Sequence, residues 1–277
     1  MRGTLPLMGA ACGLWLWRGN RTIEAQTVSL SLPGLPRPFR GLTIAQVSDL
    51  HNAQFGRGNR RLLRLLKAAG PDLIALTGDL IDARRPRPDI VLAFARQVTS
   101  LAPTYYVPGN HEARLRGYPS LRAGLFRAGV TVLENRMVPL TQAGEQIRLV
   151  GLADPSFARL TGDSAMPTQI VSQELDRLLA GQDRETITLL LSHRPELFPA
   201  YAAHGADLTL AGHTHGGQVR LPGLGGVIAP SQGVFPPYDS GVYRRGKHVM
   251  VVSRGLGNSL FPVRINNRPE VILVQLN

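Results

Sequence analysis

Short apolar runs, each closed by a polar cluster, recur along the chain. Residues 42–47, 73–76, 187–191 and 208–211 are apolar nearly throughout, the pattern of strands buried on both faces. Further short strands are predicted at 104–107, 130–133, 147–152, 249–253 and 271–275. Residues 27–32 instead alternate through Val28, Leu30 and Leu32, which predicts an edge strand ahead of the turn Pro33-Gly34-Leu35-Pro36. Between these runs, residues 59–69 place Leu62, Leu63, Leu65, Leu66 and Ala69 on one helical face and Arg60, Arg64 and Lys67 on another. Helices are also predicted at 89–100, where Asp89 suits the positive end of the helix dipole, at 119–128 and at 171–179. The tract 154–167 is polar, contains prolines and predicts no element. Alternating strands and helices of this kind make an α/β fold.

The polar clusters hold the candidate chemistry. Asp49 and His51 follow the run 42–47, Asp79 and Asp82 follow 73–76, and Asn110, His111 and Glu112 follow 104–107. His193 and Arg194 follow 187–191, and His213 and His215 follow 208–211. Loops at the carboxyl ends of strands line the crevice of an α/β sheet, so these residues are expected to converge although they are scattered in sequence. His213 and His215 lie two apart at a strand end and are expected to point the same way. Histidines 51, 193, 213 and 215, Asp49, Asp79 and Asn110 form a mixed nitrogen and oxygen set that suits manganese, iron or zinc better than calcium. The set exceeds what one ion takes. A carboxylate shared by two ions about 3.5–4 Å apart is the arrangement that activates water for attack on phosphorus, and Asp79 is its natural bridge.

Composition narrows the partner. The 277 residues carry 31 Lys and Arg against 19 Asp and Glu, a net charge of +12, which favours anionic partners such as phosphorylated small molecules, nucleic acid or anionic lipid. A solvated basic surface is the plain alternative, and the same holds for Arg57, Arg60, Arg64 and Lys67. The single cysteine, Cys12, excludes a disulfide framework and a thiolate-rich zinc site.

Residues 1–24 read as an apolar anchor or signal-like segment ahead of one domain at 25–277. Residues 3–17 are almost uncharged and end in Trp15 and Trp17, with Arg2 before them and Arg18 and Arg21 after. The run is shorter than the roughly 20 residues a spanning helix needs, and the tryptophans suit a bilayer interface, so membrane association is expected. Positive charge on both flanks leaves the side of the membrane open. Lipidation of Cys12 is not expected, because the large aliphatic residue that would precede such a cysteine is missing.

The ordered motifs Asp49-x-His51, Gly78-Asp79, Gly109-Asn110-His111-Glu112, His193 and Gly212-His213-x-His215 resemble those of the calcineurin-like metallophosphoesterases over roughly residues 42 to 220. The Gly-Gly-Gln after the double histidine and Ser253-Arg254-Gly255-Leu256-Gly257 are similar to the branch with membrane-associated bacterial phosphoesterases, including UDP-diacylglucosamine pyrophosphatases. The resemblance implies a central β-sandwich of mixed sheets flanked by helices in four layers. It implies two divalent metal ions, one on Asp49, His51 and His215, the other on Asn110, His193 and His213, with Asp79 between them. It gives His111 the scissile phosphate or the leaving oxygen, and Asp82 the orientation of His111. The implied reaction is hydrolysis of a phosphoester or pyrophosphate bond by metal-activated hydroxide, on a phosphorylated small molecule or a lipid.

Rival readings remain at this level. A soluble phosphodiesterase acting on nucleotides or nucleic acid fits the charge, although no nucleic-acid module is recognised. A non-catalytic scaffold of the same fold would be expected to lose ligands, whereas every one is present here. Glu112 is expected to fold back on the backbone or support a neighbour. Arg194 suits phosphate binding and a structural ion pair equally. His204 and His248 lack a motif and read as ordinary surface or strand residues.

Overall fold

Apolar runs without alternation can be buried only if something packs on each face, and here each face finds a different core. The computed structural model describes residues 4–160, 162, 164–258 and 261–277, with side chains from Gly13 onward. Its strands are β1 (Glu24–Leu30), β2 (Thr43–Val47), β3 (Leu73–Thr77), β4 (Thr104–Val107), β5 (Thr131–Val132), β6 (Arg136–Gln142), β7 (Glu145–Gly151), β8 (Thr188–Leu191) and β9 (Leu208–Ala211). Four two-residue strands follow, β10 (Arg220–Leu221), β11 (Gly225–Gly226), β12 (Ile228–Ala229) and β13 (Gly233–Val234), and then β14 (Gly241–Arg245), β15 (His248–Val252) and β16 (Glu270–Leu276). The helices are α1 (Thr4–Arg21), α2 (Arg60–Ala69), α3 (Pro88–Val98), α4 (Asn110–Arg114), α5 (Tyr118–Arg127), α6 (Ser156–Leu160), α7 (Pro167–Leu179) and α8 (Phe198–Ala203).

Two six-stranded sheets face each other, in the orders β1-β16-β2-β3-β4-β5 and β14-β15-β9-β8-β7-β6. Successive side chains of a strand point to opposite faces. In β3, Leu73 and Ala75 enter the core between the sheets while Ile74 and Leu76 enter the core under α2, α3 and α5. In β15, Val249 and Val251 face the other sheet and Met250 and Val252 face α7 and α8. The result is the four-layer arrangement of helices, sheet, sheet and helices around a sandwich of mixed sheets.

Strands β2, β3 and β4 run parallel in one sheet, and β7, β8, β9 and β15 run parallel in the other. The two sheets are tied at the end where the polar loops emerge. The buried Gln46 amide donates to the Ala211 carbonyl at 2.8 Å and to Thr77 Oγ1 at 3.2 Å.

The structure departs from the expected elements mainly at the edges. The edge strand occupies Glu24–Leu30 rather than 27–32, and pairs in parallel with β16 from Glu24↔Glu270 to Leu30↔Leu276, a partner with no local signal. Strands β6 and β14 were not expected; both are largely exposed, and β6 carries Pro139, which only an edge strand tolerates because no ladder bond is lost on its free side. Part of the unassigned tract 154–167 forms α6, and positions 161 and 163 lie outside the described residues.

The N-terminal segment is helical, with Arg18 and Arg21 at the negative end of its dipole. No helix among the described residues is long and apolar enough to cross a membrane. Arg2 and the side chain of Cys12 lie outside the described residues.

Candidate metal centre

The loops that end the parallel strands turn more sharply than an extended strand end. Asp49, His51, Asp79, His213 and His215 all have positive φ, at 51°, 45°, 51°, 73° and 50°. Such conformations in residues with a Cβ cost about 1–3 kcal/mol each and persist where the surroundings dictate them. His213 and His215, two residues apart, meet different neighbours, as the resemblance implies. His213 meets His193, with its Nδ1 3.2 Å from His193 Nε2, whereas His215 Nε2 lies 3.5 Å from Asp49 Oδ1. Two glycines permit this closeness. A Cβ on Gly212 would overlap Ser48 Oγ and Asp49 Oδ2, and one on Gly109 would overlap Asp79 Oδ1.

The expected residues gather into buried groups that can hold cations, Asp49, His51 and His215 in one and Asp79, His193 and His213 in another, with a third, His51, Asp79 and His111, overlapping both. In the first, His51 Nε2 stands 3.3 Å from His215 Nε2 and 3.8 Å from Asp49 Oδ1. Asp49 Oδ2 accepts from Ser48 Oγ at 2.5 Å and from the His213 N–H at 3.1 Å, which leaves Oδ1 for the histidines. In the second, His193 donates from Nδ1 to the Thr77 carbonyl at 2.8 Å and turns Nε2 towards Asp79 Oδ2 at 3.2 Å.

Asp79 joins the groups. Its Oδ1 accepts from the His111 N–H at 2.8 Å, while Oδ2 lies 3.6 Å from His51 Nε2 and 3.2 Å from His193 Nε2. One oxygen therefore faces both sets of imidazoles. The donor set fits divalent cations on a second count: Asp49 Oδ1 and Asn110 Oδ1 are buried acceptors with no hydrogen-bond donor. Buried polar atoms are almost always partnered, and a metal ion would supply the missing partner for both.

His111 borders the first group, its ring 4.5 Å from that of His51 and nearly perpendicular to it. Its Nδ1 accepts from the Ala83 N–H at 3.1 Å, which assigns the proton of the neutral ring to Nε2. Asp82 Oδ1 stands 3.4 Å from the same Nδ1 and also accepts from Arg84 Nε at 3.0 Å. Glu112 folds back on the backbone. Fully buried, it accepts from the N–H groups of Asp79, Leu80, Ile81 and Gly109 at 2.8–3.2 Å, stapling the loop after β3 to the loop after β4.

Burial and mutual charge set the protonation of this cluster. For Asp49 and Asp79, burial opposes the charge, but the surrounding histidines, His215 foremost for Asp49 and His193 for Asp79, hold both carboxyls below the ordinary range. Burial lowers His213 to about 3, with the neighbouring His193 acting in the same direction. His215 is likewise lowered to about 3 by burial. Burial opposes a charge on His193 too, yet the Asp79 carboxylate outweighs it and raises His193 to about 10. Metal-free protein at pH 7 thus carries a proton on His193 Nε2 that a cation must displace. Metal uptake at pH 7 is expected to release protons, from His193 and from His51, whose pKa, against its burial, is also raised by the neighbouring carboxylates, with affinity rising as pH rises towards 10. Calorimetric titration in two buffers of different ionisation enthalpy measures this, and uptake without proton release would contradict the assignment.

Three residues that sequence reasoning passed over complete the surroundings. Ser231 Oγ lies 3.3 Å from His213 Nε2 and accepts from Arg194 Nη1 at 3.1 Å. Arg194 is committed to Asp154, donating from Nε at 2.7 Å and Nη2 at 3.1 Å, which decides for the structural ion pair over phosphate binding. Asp154 follows β7 just as the other site residues follow their strands, a signal that was available. Arg264, buried behind His215 with Nη2 3.4 Å from its Nδ1, follows no apolar run and left none.

Arg194→Met is expected to leave the Asp154 carboxylate buried and unpaired at a cost of about 3–5 kcal/mol, lowering the melting temperature by about 10 °C. A change of a degree or two in calorimetry would show that the pair does not support the loop. Burial works against the Asp154 charge, but Arg194 outweighs it and holds the carboxyl below its ordinary value. The stabilisation is therefore full above about pH 4 and is lost as pH falls through the lowered value.

Comparison with known proteins agrees with this geometry. The model of the calcineurin-like phosphoesterase family matches residues 42–217, well over half of the chain. The uncharacterized metallophosphoesterase YkuE of Bacillus subtilis (strain 168) is 29% identical over 259 residues, covering 90% of this chain and 83% of its own. Phosphodiesterase YaeI of Escherichia coli (strain K12) is 31% identical over 251 residues, 86% of this chain and 82% of its own. Among solved structures, TT1561 of Thermus thermophilus shares the fold at a TM-score of 0.51 and 16% identity, over 77% of this chain and 89% of that one. With its donors in two groups about one shared carboxylate, the chain belongs to the calcineurin-like phosphoesterase family, hydrolases of phosphoester bonds that use two divalent metal ions.

Proposed function

We propose that residues 25–277 form a single catalytic domain that hydrolyses a phosphoester or pyrophosphate bond in an amphiphilic, lipid-linked substrate at a membrane, with residues 1–24 as its membrane-associating segment. Asp49, His51 and His215 would hold one cation, Asn110, His193 and His213 the second, and Asp79 both. The observation that carries the reading is the position of Asp79 Oδ2 between His51 and His193. Bound divalent cations supply the activation of water and the neutralisation of phosphoryl oxygens.

The chain's own groups do the rest. Thr77 and Ser231 fix the ring orientations of His193 and His213 from behind, as outer partners of ligating histidines do. Glu112 holds the two loops that carry Asp79 and His111 in register. Neutral His111, its Nδ1 held by the Ala83 N–H with Asp82 alongside, presents its Nε2–H as a hydrogen-bond donor to a phosphoryl or leaving oxygen. The exposed side chains of Leu224, Val234 and Phe235, in the loops that bring Ser231 to His213, would meet the apolar part of the substrate.

The test is a panel of substrates for the metal-loaded protein, with manganese and zinc compared: an aryl phosphodiester, an aryl phosphomonoester, nucleotides, and a lipid-linked pyrophosphate in mixed micelles. The amphiphile is expected to exceed the soluble esters in kcat/KM by about a hundredfold or more, since binding of the apolar part is available only to it. A second reading, a phosphodiesterase of soluble substrates, draws support from the identity with Phosphodiesterase YaeI. Equal or higher kcat/KM on a soluble diester would favour it.

A further inference from the structure

We propose that the face beside the metal centre is a docking face for an anionic lipid bilayer, built jointly by α1 and by the loops that follow His215; the partner named here rests on the amphiphile reading above. Trp15 and Trp17 on α1, Leu224, Val234 and Phe235 beyond β10, and Phe261 beyond β15 are each at least half exposed. Clustered exposed apolar side chains of this size on a folded chain mark a surface with a partner.

Hydrogen bonds join the backbone segments that carry these residues. Asn20 of α1 clasps the backbone of Arg264, donating to its carbonyl at 3.0 Å and accepting from its N–H at 2.7 Å. Ile265, the next residue, bridges Val219, and its carbonyl accepts from the Arg220 N–H at 3.0 Å. The Val219 carbonyl accepts from Val227, and the Val227 carbonyl from Phe235, both at 2.8 Å. Ser231, in the turn between β12 and β13, reaches His213, and Arg264 reaches His215. The apolar layer thus borders the donors of both groups.

Charge selects the partner. Arg18 and Arg21 close α1, with Arg21 Cζ 5.6 Å from the centre of the Trp17 ring. A cavity of about 360 Å³ at the seam between α1 and the body is lined by Trp15 with Arg18 and Arg268, whereas Arg254 there is paired with Glu24 and Glu270 and Arg264 is buried. Tryptophan beside arginine is the composition that settles at the headgroup level, and clustered arginines are drawn to anionic lipid. With tryptophans and arginines at its C-terminal end, α1 would seat that end at the interface and bring the metal centre to the lipid surface.

Flotation of the full metal-loaded chain with vesicles of phosphatidylcholine, alone or mixed with phosphatidylglycerol, tests this. Binding to the mixed vesicles is expected, weakened by salt, and reduced about tenfold or more both by Trp15→Ser with Trp17→Ser and by Leu224→Ser with Val234→Ser, with the unfolding midpoint kept. Phe126→Ser, an exposed apolar position on α5, is the control expected to change nothing. Absence of vesicle binding by the full chain, undiminished binding by either double variant, or a change in oligomeric state with no effect on vesicles would overturn the proposal, the last identifying a face for a second copy. Binding is read without turnover, so failure of the lipid substrate leaves this result standing, and lipid hydrolysis without binding would sink the docking face alone.

Discussion

Replacing Asp79 with asparagine is expected to lower kcat by at least about a thousandfold and to leave the protein with fewer than two metal ions per chain, while its secondary structure is kept. The side chains are nearly isosteric, and Asn Oδ1 can still accept the His111 N–H that Asp79 Oδ1 holds at 2.8 Å. The change falls on the other atom. An amide nitrogen would replace Oδ2, bringing two donors towards His51 Nε2 and His193 Nε2 where a shared negative charge stood at 3.6 and 3.2 Å. Both cation groups lose their common acceptor at once, so the loss should exceed that from replacing a ligand of one group. Elemental analysis, circular dichroism and turnover of an aryl phosphodiester measure the three parts. A variant that retains two ions and full turnover would remove Asp79 from the bridge.

His111→Asn is expected to separate catalysis from metal binding, lowering kcat by about 10²–10⁴-fold with both ions retained. His111 stands beside the first group, yet its Nδ1 is occupied by the Ala83 N–H, and burial lowers its pKa so that the ring is neutral at pH 7. The Nε2 proton is what the asparagine variant removes from the reacting oxygens. Asp82→Asn should cost less than about tenfold, because Asp82 is shared with Arg84 and meets His111 only at 3.4 Å. Loss of metal in the His111 variant would instead make His111 a ligand. An Asp82 effect as large as that of His111 would make the carboxylate indispensable to the ring's orientation.

How far the fold could be read depended on burial. Strands such as β3 and β9, covered on both faces, have an unmistakable apolar signature, and the polar residues that close them are conspicuous against it. Edge strands such as β6 do not, because one face and one backbone edge meet solvent and a proline is tolerated. Glu112 was legible only as a helper, since the donors it satisfies come from two separate loops. Ser231 and Arg264 carried no signal: a serine in a turn and an arginine in a basic chain are ordinary until the fold sets them beside His213 and His215.

The sequence by itself determined the α/β class, the strand ends on which the chemistry sits and the mixed nitrogen and oxygen character of the donors, because periodicity and residue type are local properties, while the layering came from the family resemblance. Only the tertiary structure decided which oxygen of Asp79 faces both groups, that Arg194 is spent on Asp154, and that α1 is clasped to the loop that carries Arg264. Those outcomes rest on left-handed turns and on contacts between residues as far apart as Asn20 and Arg264, which form only when both sheets and their loops are in place.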